Sequence, residues 1–233
     1  EEVKSQVTSN TKLMIINSPN NPCGSVISND DLRKLSDIAK ENNITVLSDE
    51  IYIRFLYEGE YKSISSFPRM LDRTIILDGF SKTYSMTGWR IGYGVLPNEL
   101  VEPISRLVTN SVSCTASFTQ MAAIEAIKGS QSEPNNMVEK FKERRDIVVE
   151  GLNDIPGIKC AVPQGAFYAF PNITGTGLSS SQFATQILEE AGVAVLAGES
   201  FGKFGTGYIR ISFANSTENL VEAMRRIKNF LTC

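Results

Sequence analysis

The stretch Ile75–Gly94, IILDGFSKTYSMTGWRIGYG, decides how the chain is interpreted. It begins with an apolar run, continues with a small polar segment that carries Lys82, and ends with the apolar run Ile91–Val95. The chain's single tryptophan, Trp89, stands just before Arg90. Short apolar runs bounded by Gly and Ser are typical of buried strands. The pattern predicts a strand, a loop and a strand, with Lys82 and Arg90 presented by the loop.

The residues upstream of this stretch repeat the same alternation of elements. Lys12–Asn17 and Thr45–Leu47 are apolar runs that predict strands, and Thr74–Leu77 is the corresponding run of the central stretch. Between the first two, the polar residues Ser28–Asp30 can cap a helix that extends to about Asn42. Strands separated by helical patterns predict an α/β fold with a mostly parallel sheet.

The residues downstream of the stretch are first helical in pattern and then mixed. Amphipathic or helix-forming segments occupy residues 98–109, 118–128 and 133–152. Further on, a set of short elements is predicted: strands at 158–161, 166–170, 193–196 and 208–213, a helix at 179–190, and a closing helix with Leu220, Met224 and Ile227 on one face. We assign residues 1–140 to a large domain and 141–233 to a small α+β domain.

The composition limits which partners and which chemistry are expected. A formal net charge of −3 gives no electrostatic reason to expect nucleic acid or an anionic membrane as a partner. No apolar run reaches the length needed to span a bilayer. The chain has no histidine, which excludes histidine triads, histidine-ligated metals and a histidine general base from it. Acid–base chemistry must come from lysine, carboxylates, tyrosine or a cofactor.

The cysteines and the first residues bear on the cellular compartment. The cysteines lie far apart and show no C-x-x-C spacing: Cys23, Cys114, Cys160 and Cys233. Such a pattern is typical of reduced thiols in a cytoplasmic protein. The opening EEVKSQVTSN is polar and acidic, unlike a secretory signal. We therefore expect a cytoplasmic protein with no metal site.

Polar side chains follow the ends of three predicted strands. Asn21 follows the first predicted strand, Asp49 and Tyr52 follow the second, and Lys82 follows the third. Open α/β sheets bind ligands beyond the carboxyl ends of their strands, so these side chains are candidates for a shared site. Polar residues at strand ends also occur in ordinary surface turns, and the pattern alone leaves both readings open.

Five motifs occur in order and at suitable spacings along the chain. They are NSPNNPCG at Asn17–Gly24, SDEIY at Ser48–Tyr52, SKTYSMTGWRIGYG at Ser81–Gly94, GAFYAF at Gly165–Phe170 and YIRISFA at Tyr208–Ala214. Together they resemble the motifs of the class I/II aminotransferases, pyridoxal-phosphate enzymes of fold type I. The resemblance implies that residues 1–140 belong to the large cofactor-binding domain, with its mostly parallel sheet, and that a small C-terminal domain follows.

The resemblance also implies pyridoxal 5'-phosphate as the cofactor and a role for each motif residue. Lys82 would hold the cofactor as a Schiff base and later move the substrate proton, since a lysine amine with a lowered pKa serves both tasks. Asp49 would pair with the pyridinium nitrogen, and Tyr52 and Asn21 would donate hydrogen bonds to the phenolic oxygen. Arg90 would bind the phosphate through its planar guanidinium.

Arg210 lies within the apolar segment YIRIS, where a charge without a partner is costly. A ligand that neutralises it is therefore expected, and the resemblance implies the α-carboxylate of an amino-acid substrate. Phe167 and Tyr168 either line the same pocket or pack in the core.

The chain departs from the family pattern in two places. Related sequences often carry a phosphate-binding serine three residues before the lysine, and here that position is Gly79. The N-terminal part of such enzymes, with a glycine-containing helix start and an aromatic residue for the cofactor ring, is not found in the sequence. We therefore interpret the chain as the C-terminal portion of a longer protein, whose sheet is incomplete at its N-terminal side and has open edges.

The resemblance implies an aminotransferase that moves an amino group between an α-amino acid and a 2-oxo acid, as a homodimer without nucleic-acid or membrane partners. Three alternatives stay open: a lyase or aminocyclopropane-carboxylate-forming enzyme on the same scaffold, the ligand-sensing domain of a transcription regulator, and a fragment that is inactive by itself. Aspartate-specific members read the side-chain carboxylate with an arginine from the partner subunit. The segment Thr109–Phe118, expected near the dimer interface, contains no arginine, which weakens an assignment to aspartate.

Overall fold

The structure is a computed structural model that describes residues 1–232, so Cys233 lies outside the described residues. It divides into two compact units. The first consists of Glu1–Pro19 and Val26–Pro134, and the second of Asn20–Ser25 and the residues from Asn135 onward. The segment Asn20–Ser25, which carries Asn21, is thus separated from the strand that precedes it. The assignment of residues 1–140 to a large domain stays a prediction.

A sheet of order β1-β2-β3-β4 forms the centre of the first unit. Its strands are β1 (Leu13–Asn17), β2 (Thr45–Asp49), β3 (Thr74–Gly79) and β4 (Gly92–Val95). The pairs β1–β2 and β2–β3 are parallel, and β4 pairs with β3 in the antiparallel direction, with Gly79 opposite Gly92. The predicted mostly parallel sheet is confirmed, and within the described residues β1 and β4 are its edges.

The first unit contains five α-helices within the described residues, and the sequence predicts three of them. The five are α1 (Glu2–Gln6), α2 (Asn29–Glu41), α3 (Phe80–Thr83), α4 (Asn98–Val112) and α5 (Ser117–Lys128), of which α2, α4 and α5 are the predicted ones. Ser28 caps α2, where its side chain accepts a hydrogen bond from the backbone N–H of Asp31 at 3.1 Å. The short, fully exposed α1 was not predicted, because it has no apolar periodicity to reveal it.

The predicted loop around Lys82 is partly helical, so that prediction was wrong in its local detail. Lys82 lies within α3, a single turn that the Tyr84 N–H closes by donating to the Phe80 carbonyl oxygen at 3.1 Å. The Phe80 ring is buried, stacks on Tyr84 with centroids 5.6 Å apart and meets the edge of Tyr93 at 6.0 Å. Burial of this ring favours a compact turn over an extended loop.

The core of the first unit lies between β1, β2 and α2. Its buried members are Ile16, Leu32, Ala39, Ile44, Val46, Ile64, Phe67 and Met70. Each large apolar side chain in such a cluster contributes about 1.5–3 kcal/mol to folding. This packing fixes β2, whose carboxyl end carries Asp49.

The second unit contains a small antiparallel sheet of order β5-β7-β6 with helices around it. Its elements are α6 (Ser132–Asn153) from Asn135 onward, β5 (Tyr168–Ala169), α7 (Ser180–Ala191), β6 (Leu196–Ala197), β7 (Ile209–Ser212) and α8 (Thr217–Thr232). Leu220, Met224 and Ile227 are buried on one face of α8, as predicted. In the described part of the chain, no helix is long and apolar enough to cross a bilayer.

The predicted strand at residues 158–161 was wrong. Only Lys159 forms an isolated bridge, with Asn172. The next residue, Cys160, pairs with a side chain instead of a strand: its N–H donates to Asn153 Oδ1 at 2.8 Å, and its carbonyl accepts from Asn153 Nδ2 at 3.0 Å. A side chain from the end of α6 therefore takes the place of a neighbouring strand.

Candidate active site

The site residues predicted from the sequence divide between the two units. Asp49, Tyr52, Lys82 and Arg90 belong to the first unit, and Asn21 and Arg210 belong to the second.

Asp49 and Tyr52 lie where β2 ends. Asp49 Oδ1 accepts a hydrogen bond from the Ile51 N–H at 3.2 Å, and its carbonyl accepts from Asn17 Nδ2, at the end of β1, at 3.1 Å. Tyr52 is buried in the turn that follows. The Lys82 ammonium lies 5.9 Å from the centre of the Tyr52 ring. The ends of β2 and β3 therefore bring Tyr52 and Lys82 together, as expected for parallel neighbours.

Arg90 follows a helical turn and has left-handed backbone geometry, with a φ of 54°. Its Nη1 donates to the Thr87 carbonyl at 2.8 Å, and Thr87 Oγ1 donates to the Ser81 carbonyl at 3.0 Å. Within residues 1–232, Arg90 forms no ion pair with a carboxylate. Its guanidinium is exposed and adjoins a cavity of about 770 Å³, whose lining includes Trp89 but not Lys82.

Gly79 has extended backbone with a φ of 177°, so its dihedral angle does not require glycine. The constraint is spatial instead. A Cβ atom at this position would lie 2.9 Å from the Gly92 Cα and 3.2 Å from the Ile91 carbonyl oxygen. A serine here would therefore need β4 to move away, which gives a physical reason for the departure from the family pattern.

Asp78 is a residue of this region that sequence reasoning missed. Tyr93 Oη donates to its Oδ2 at 2.7 Å, and the Gly79 N–H donates to its Oδ1 at 2.6 Å. Burial raises the pKa of this carboxyl and the nearby Asp49 charge adds to the rise, although the two hydrogen bonds oppose it. The only sequence signal was a carboxylate at the end of β3, four residues before Lys82.

Glu50 was missed as well, although it lies inside the SDEIY motif. Its carboxylate is buried and accepts hydrogen bonds from Ser48 Oγ at 3.1 Å and Ser63 Oγ at 2.6 Å. Burial of a charged group requires such donors. The interaction ties the end of β2 to the segment that contains Ser63, so Glu50 supports the turn that presents Tyr52.

Arg210 stands on β7 opposite Leu196 of β6. Its Nη1 donates to Asn21 Oδ1 at 2.9 Å, while its Nε is buried and has no hydrogen-bond partner. The carbon of its guanidinium lies 4.6 Å from the centre of the Tyr168 ring and 5.0 Å from that of Phe201. No carboxylate within residues 1–232 forms an ion pair with it.

The structure therefore brings Asn21 and Arg210 together, although they are far apart in sequence. The Oδ1 atom of the Asn21 amide is the acceptor for Arg210, and Nδ2 is the donor atom of the same amide. Of the two aromatic residues left open by the sequence, Phe167 stacks on Phe141 at 5.4 Å in the core. Tyr168 is buried too, but its ring also faces Arg210.

The donor set of the first unit fits an aromatic aldehyde that carries a ring nitrogen, a phenolic oxygen and a phosphate. Lys82 supplies an amine, Asp49 a carboxylate, Tyr52 a phenol hydroxyl and Arg90 a guanidinium that pairs with no carboxylate of residues 1–232. These are the groups that pyridoxal phosphate needs for its carbonyl, ring nitrogen, phenolic oxygen and phosphate.

Comparisons with known proteins agree with this donor set. The family model described as aminotransferase class I and II matches residues 1–227. The aspartate aminotransferase of Pyrococcus horikoshii is 43% identical over 234 residues, covering 99% of the chain and 59% of the relative. The aromatic-amino-acid aminotransferase 2 of Thermococcus litoralis is 42% identical over 234 residues, with 99% and 60% covered.

A solved structure gives the same result for the fold. The aromatic aminotransferase from Pyrococcus horikoshii OT3 matches with a TM-score of 0.96 and 42% identity, covering 99% of the chain and 62% of that structure. The predicted fold, the α/β sheet of a fold type I large domain followed by a small α+β domain, is confirmed. The chain spans about 60% of the length of the relatives that it matches.

Proposed function

Because the chain belongs to the class I and II aminotransferase family, whose members depend on pyridoxal phosphate, we propose that the protein is an aminotransferase. It moves an amino group between an α-amino acid and a 2-oxo acid. The observation that carries this proposal beyond family membership is the state of Arg210. A guanidinium with a buried, unpartnered Nε and, among residues 1–232, no acidic partner is suited to bind the carboxylate that every α-amino acid carries.

The residues of the first unit would hold the cofactor and handle the proton. Lys82 would hold the cofactor through Nζ, and its freed amine would then act as the base that moves the proton at the substrate α-carbon. Bound pyridoxal phosphate supplies the electron sink that makes this α-carbon acidic. Asp49 keeps the ring nitrogen protonated, Tyr52 donates to the phenolic oxygen, and Arg90 binds the phosphate.

The residues of the second unit would bind and orient the substrate. Arg210 pairs with the α-carboxylate, and Asn21 holds Nη1 of that arginine through its Oδ1. The substrate class that these residues support is the α-amino acids in general. The relatives include both aspartate and aromatic aminotransferases, and the segment Thr109–Phe118 offers no arginine for a second carboxylate.

We infer a cytoplasmic homodimer that binds neither nucleic acid nor membranes. Exposed apolar side chains on α4 and α5, such as Val112 and Phe118, support a partner surface. The net charge of −3 supports the absence of nucleic-acid and anionic-membrane partners. The exposed free thiols of Cys23 and Cys114 support a cytoplasmic location.

The test is substitution of Lys82 in the full-length protein loaded with pyridoxal phosphate. Reduction with borohydride should trap the cofactor on Lys82, and a panel of 2-oxo acids should serve as acceptors for an amino-acid donor. Lys82→Ala should lower transamination by about 10²–10⁴-fold or more, because both the covalent anchor and the proton carrier are lost. Lys140→Ala, an exposed site on α6, is the control and should leave the rate unchanged.

Each alternative has its own signature in these assays. Ammonia and a 2-oxo acid released from one amino acid without an acceptor would indicate a lyase. Cofactor trapped on Lys82 without turnover of any amino acid would indicate a sensor domain. Transamination that survives in Lys82→Ala would contradict the proposal outright.

A further inference from the structure

Phe201 contacts the guanidinium that is expected to bind the substrate, yet no motif in the sequence points to it. Its ring centre lies 5.0 Å from the carbon of the Arg210 guanidinium, and Tyr168 lies at 4.6 Å. The Phe201 side chain is 36% exposed, so this ring is not simply part of the core. Phe170 contacts it edge-on, with ring centres 6.0 Å apart.

The segment that carries Phe201, GESFGKFGTG between β6 and β7, is held in shape by glycine contacts. The Gly198 N–H donates to the Tyr208 carbonyl at 2.8 Å. Gly198 and Gly205 approach so closely that a Cβ atom on either would overlap the other's backbone carbonyl oxygen. Gly202, next to Phe201, has a φ of 105°, which favours glycine. The backbone therefore fixes the position from which Phe201 reaches Arg210.

We propose that Phe201 is a positioning residue that holds the Arg210 guanidinium in the orientation that binds the substrate carboxylate. The inference rests on the proposed function, since it concerns the same arginine. Arginine loses side-chain entropy when it is held in one rotamer, and besides the Tyr168 ring only the hydrogen bond to Asn21 restrains this head group within residues 1–232. An aromatic face against the guanidinium removes this freedom, because the cation is attracted to the π electrons.

The proposal predicts which kinetic constant changes. The carboxylate is bound equally in the ground state and in the transition state, so losing the ring weakens both alike. In the full-length holoenzyme, Phe201→Leu should raise KM for the amino acid by about 3–30-fold and leave kcat within about twofold. Phe201→Tyr keeps a π face and should restore KM. Phe204→Leu, in the same segment but 86% exposed, is the matched control and should behave as wild type.

A second measurement separates this inference from the proposed function. Binding of succinate and of 3-phenylpropionate, carboxylates without an amine, is measured by calorimetry on the same holoenzymes. Weaker binding in Phe201→Leu than in Phe201→Tyr supports the inference even if wild type shows no transamination, in which case only the proposed function fails. Unchanged KM and unchanged carboxylate binding in Phe201→Leu overturn it, as does an equal loss in Phe204→Leu or a wild type that binds neither probe.

Discussion

The cysteine side chains of the described residues differ sharply in their surroundings. Cys160 is buried, and burial raises the pKa of its thiol to about 11, whereas Cys23 and Cys114 are exposed. Since the thiolate is the reactive form, iodoacetamide at pH 8 should label Cys23 rapidly and Cys160 at least about tenfold more slowly. Peptide mass spectrometry of the native 233-residue chain measures this. Unfolding should abolish the difference; equal labelling of Cys160 and Cys23 in the native state would contradict it.

Asp78 predicts a dependence of stability on pH. Burial raises its pKa in the folded state, so the folded chain holds its proton more tightly than the unfolded chain does. The stabilising contribution is complete below the unfolded pKa and is lost as the pH rises through the folded pKa. Asp78→Asn removes the charge and keeps an acceptor for the Gly79 N–H. It should therefore raise the free energy of unfolding at pH 7, by no more than about 1 kcal/mol because the carboxyl is partly solvated.

Urea titration of Asp78→Asn at pH 7 and at pH 4 checks that prediction. The gain should shrink at the lower pH, where the wild-type carboxyl is more often protonated. Asp72→Asn, at an exposed position shortly before β3, is the control and should change stability by less than about 0.5 kcal/mol. A lower free energy of unfolding for Asp78→Asn at pH 7 would show instead that the charged carboxylate stabilises the fold.

At the residue scale, the sequence predicted site residues that stand at recognisable positions, such as strand ends. It missed residues whose role depends on contacts with distant parts of the chain. Lys82 and Tyr52 follow strand ends, so sheet geometry alone brought them together as expected. Glu50 gives no local sign that Ser63, thirteen positions away, will cover its carboxylate. Phe201 lies in a loop, and nothing in its local sequence indicates that its ring contacts Arg210.

At the scale of elements, α7 offers a sharp test of local sequence signals. Its N-cap Ser179 accepts from the Gln182 N–H at 3.3 Å, and Gln182 Oε1 accepts from the Ser179 N–H at 3.0 Å, forming a capping box. Ser179→Ala should cost about 1 kcal/mol of unfolding free energy, measured by urea titration. Ser181→Ala, exposed in the first turn of the same helix, is the control and should be close to neutral. Equal effects would mean that the cap contributes nothing specific.

Element prediction succeeded where local chemistry and tertiary packing agree. The capped helices α2 and α7 and the strands β1 to β3 all began or ended within a few residues of their predicted positions. It failed where a distant group intervened. Asn153 satisfies the backbone of Cys160, which prevents a strand at 158–161, and burial of Phe80 turns the predicted loop at Lys82 into helix α3.

At the scale of the whole molecule, the assignment of Asn20–Ser25 to the second unit could not be predicted from the sequence. Gly24 has a φ of 66°, and a Cβ atom there would lie 2.6 Å from the Pro163 Cβ. The Gln164 and Gly165 N–H groups both donate to the Gly24 carbonyl at 2.9 Å. These contacts join residues about 140 positions apart. The composition of the segment predicts a turn, but it does not indicate which distant residues the turn contacts.

In the first unit, α4 has no buried residue, and several apolar side chains of α4 and α5 are exposed. Val112 and Phe118 are each 70% exposed, and Leu107 and Met121 are similarly open. Contiguous apolar surface of this kind drives association in water. The 233-residue chain should therefore self-associate in a concentration-dependent way, as measured by sedimentation velocity. Phe118→Lys should weaken this association by about tenfold or more, because it buries a charge in the contact.

Val221→Lys is the matched control for that experiment, since it places the same charge at an exposed apolar position on α8 in the second unit. It should leave the self-association of the chain unchanged. If Val221→Lys weakens association as much as Phe118→Lys, the effect comes from net charge rather than from the surface of α4 and α5. If the wild-type chain stays monomeric up to about 100 μM, a concentration at which a contact of only about 5.5 kcal/mol already shows, that surface does not drive association.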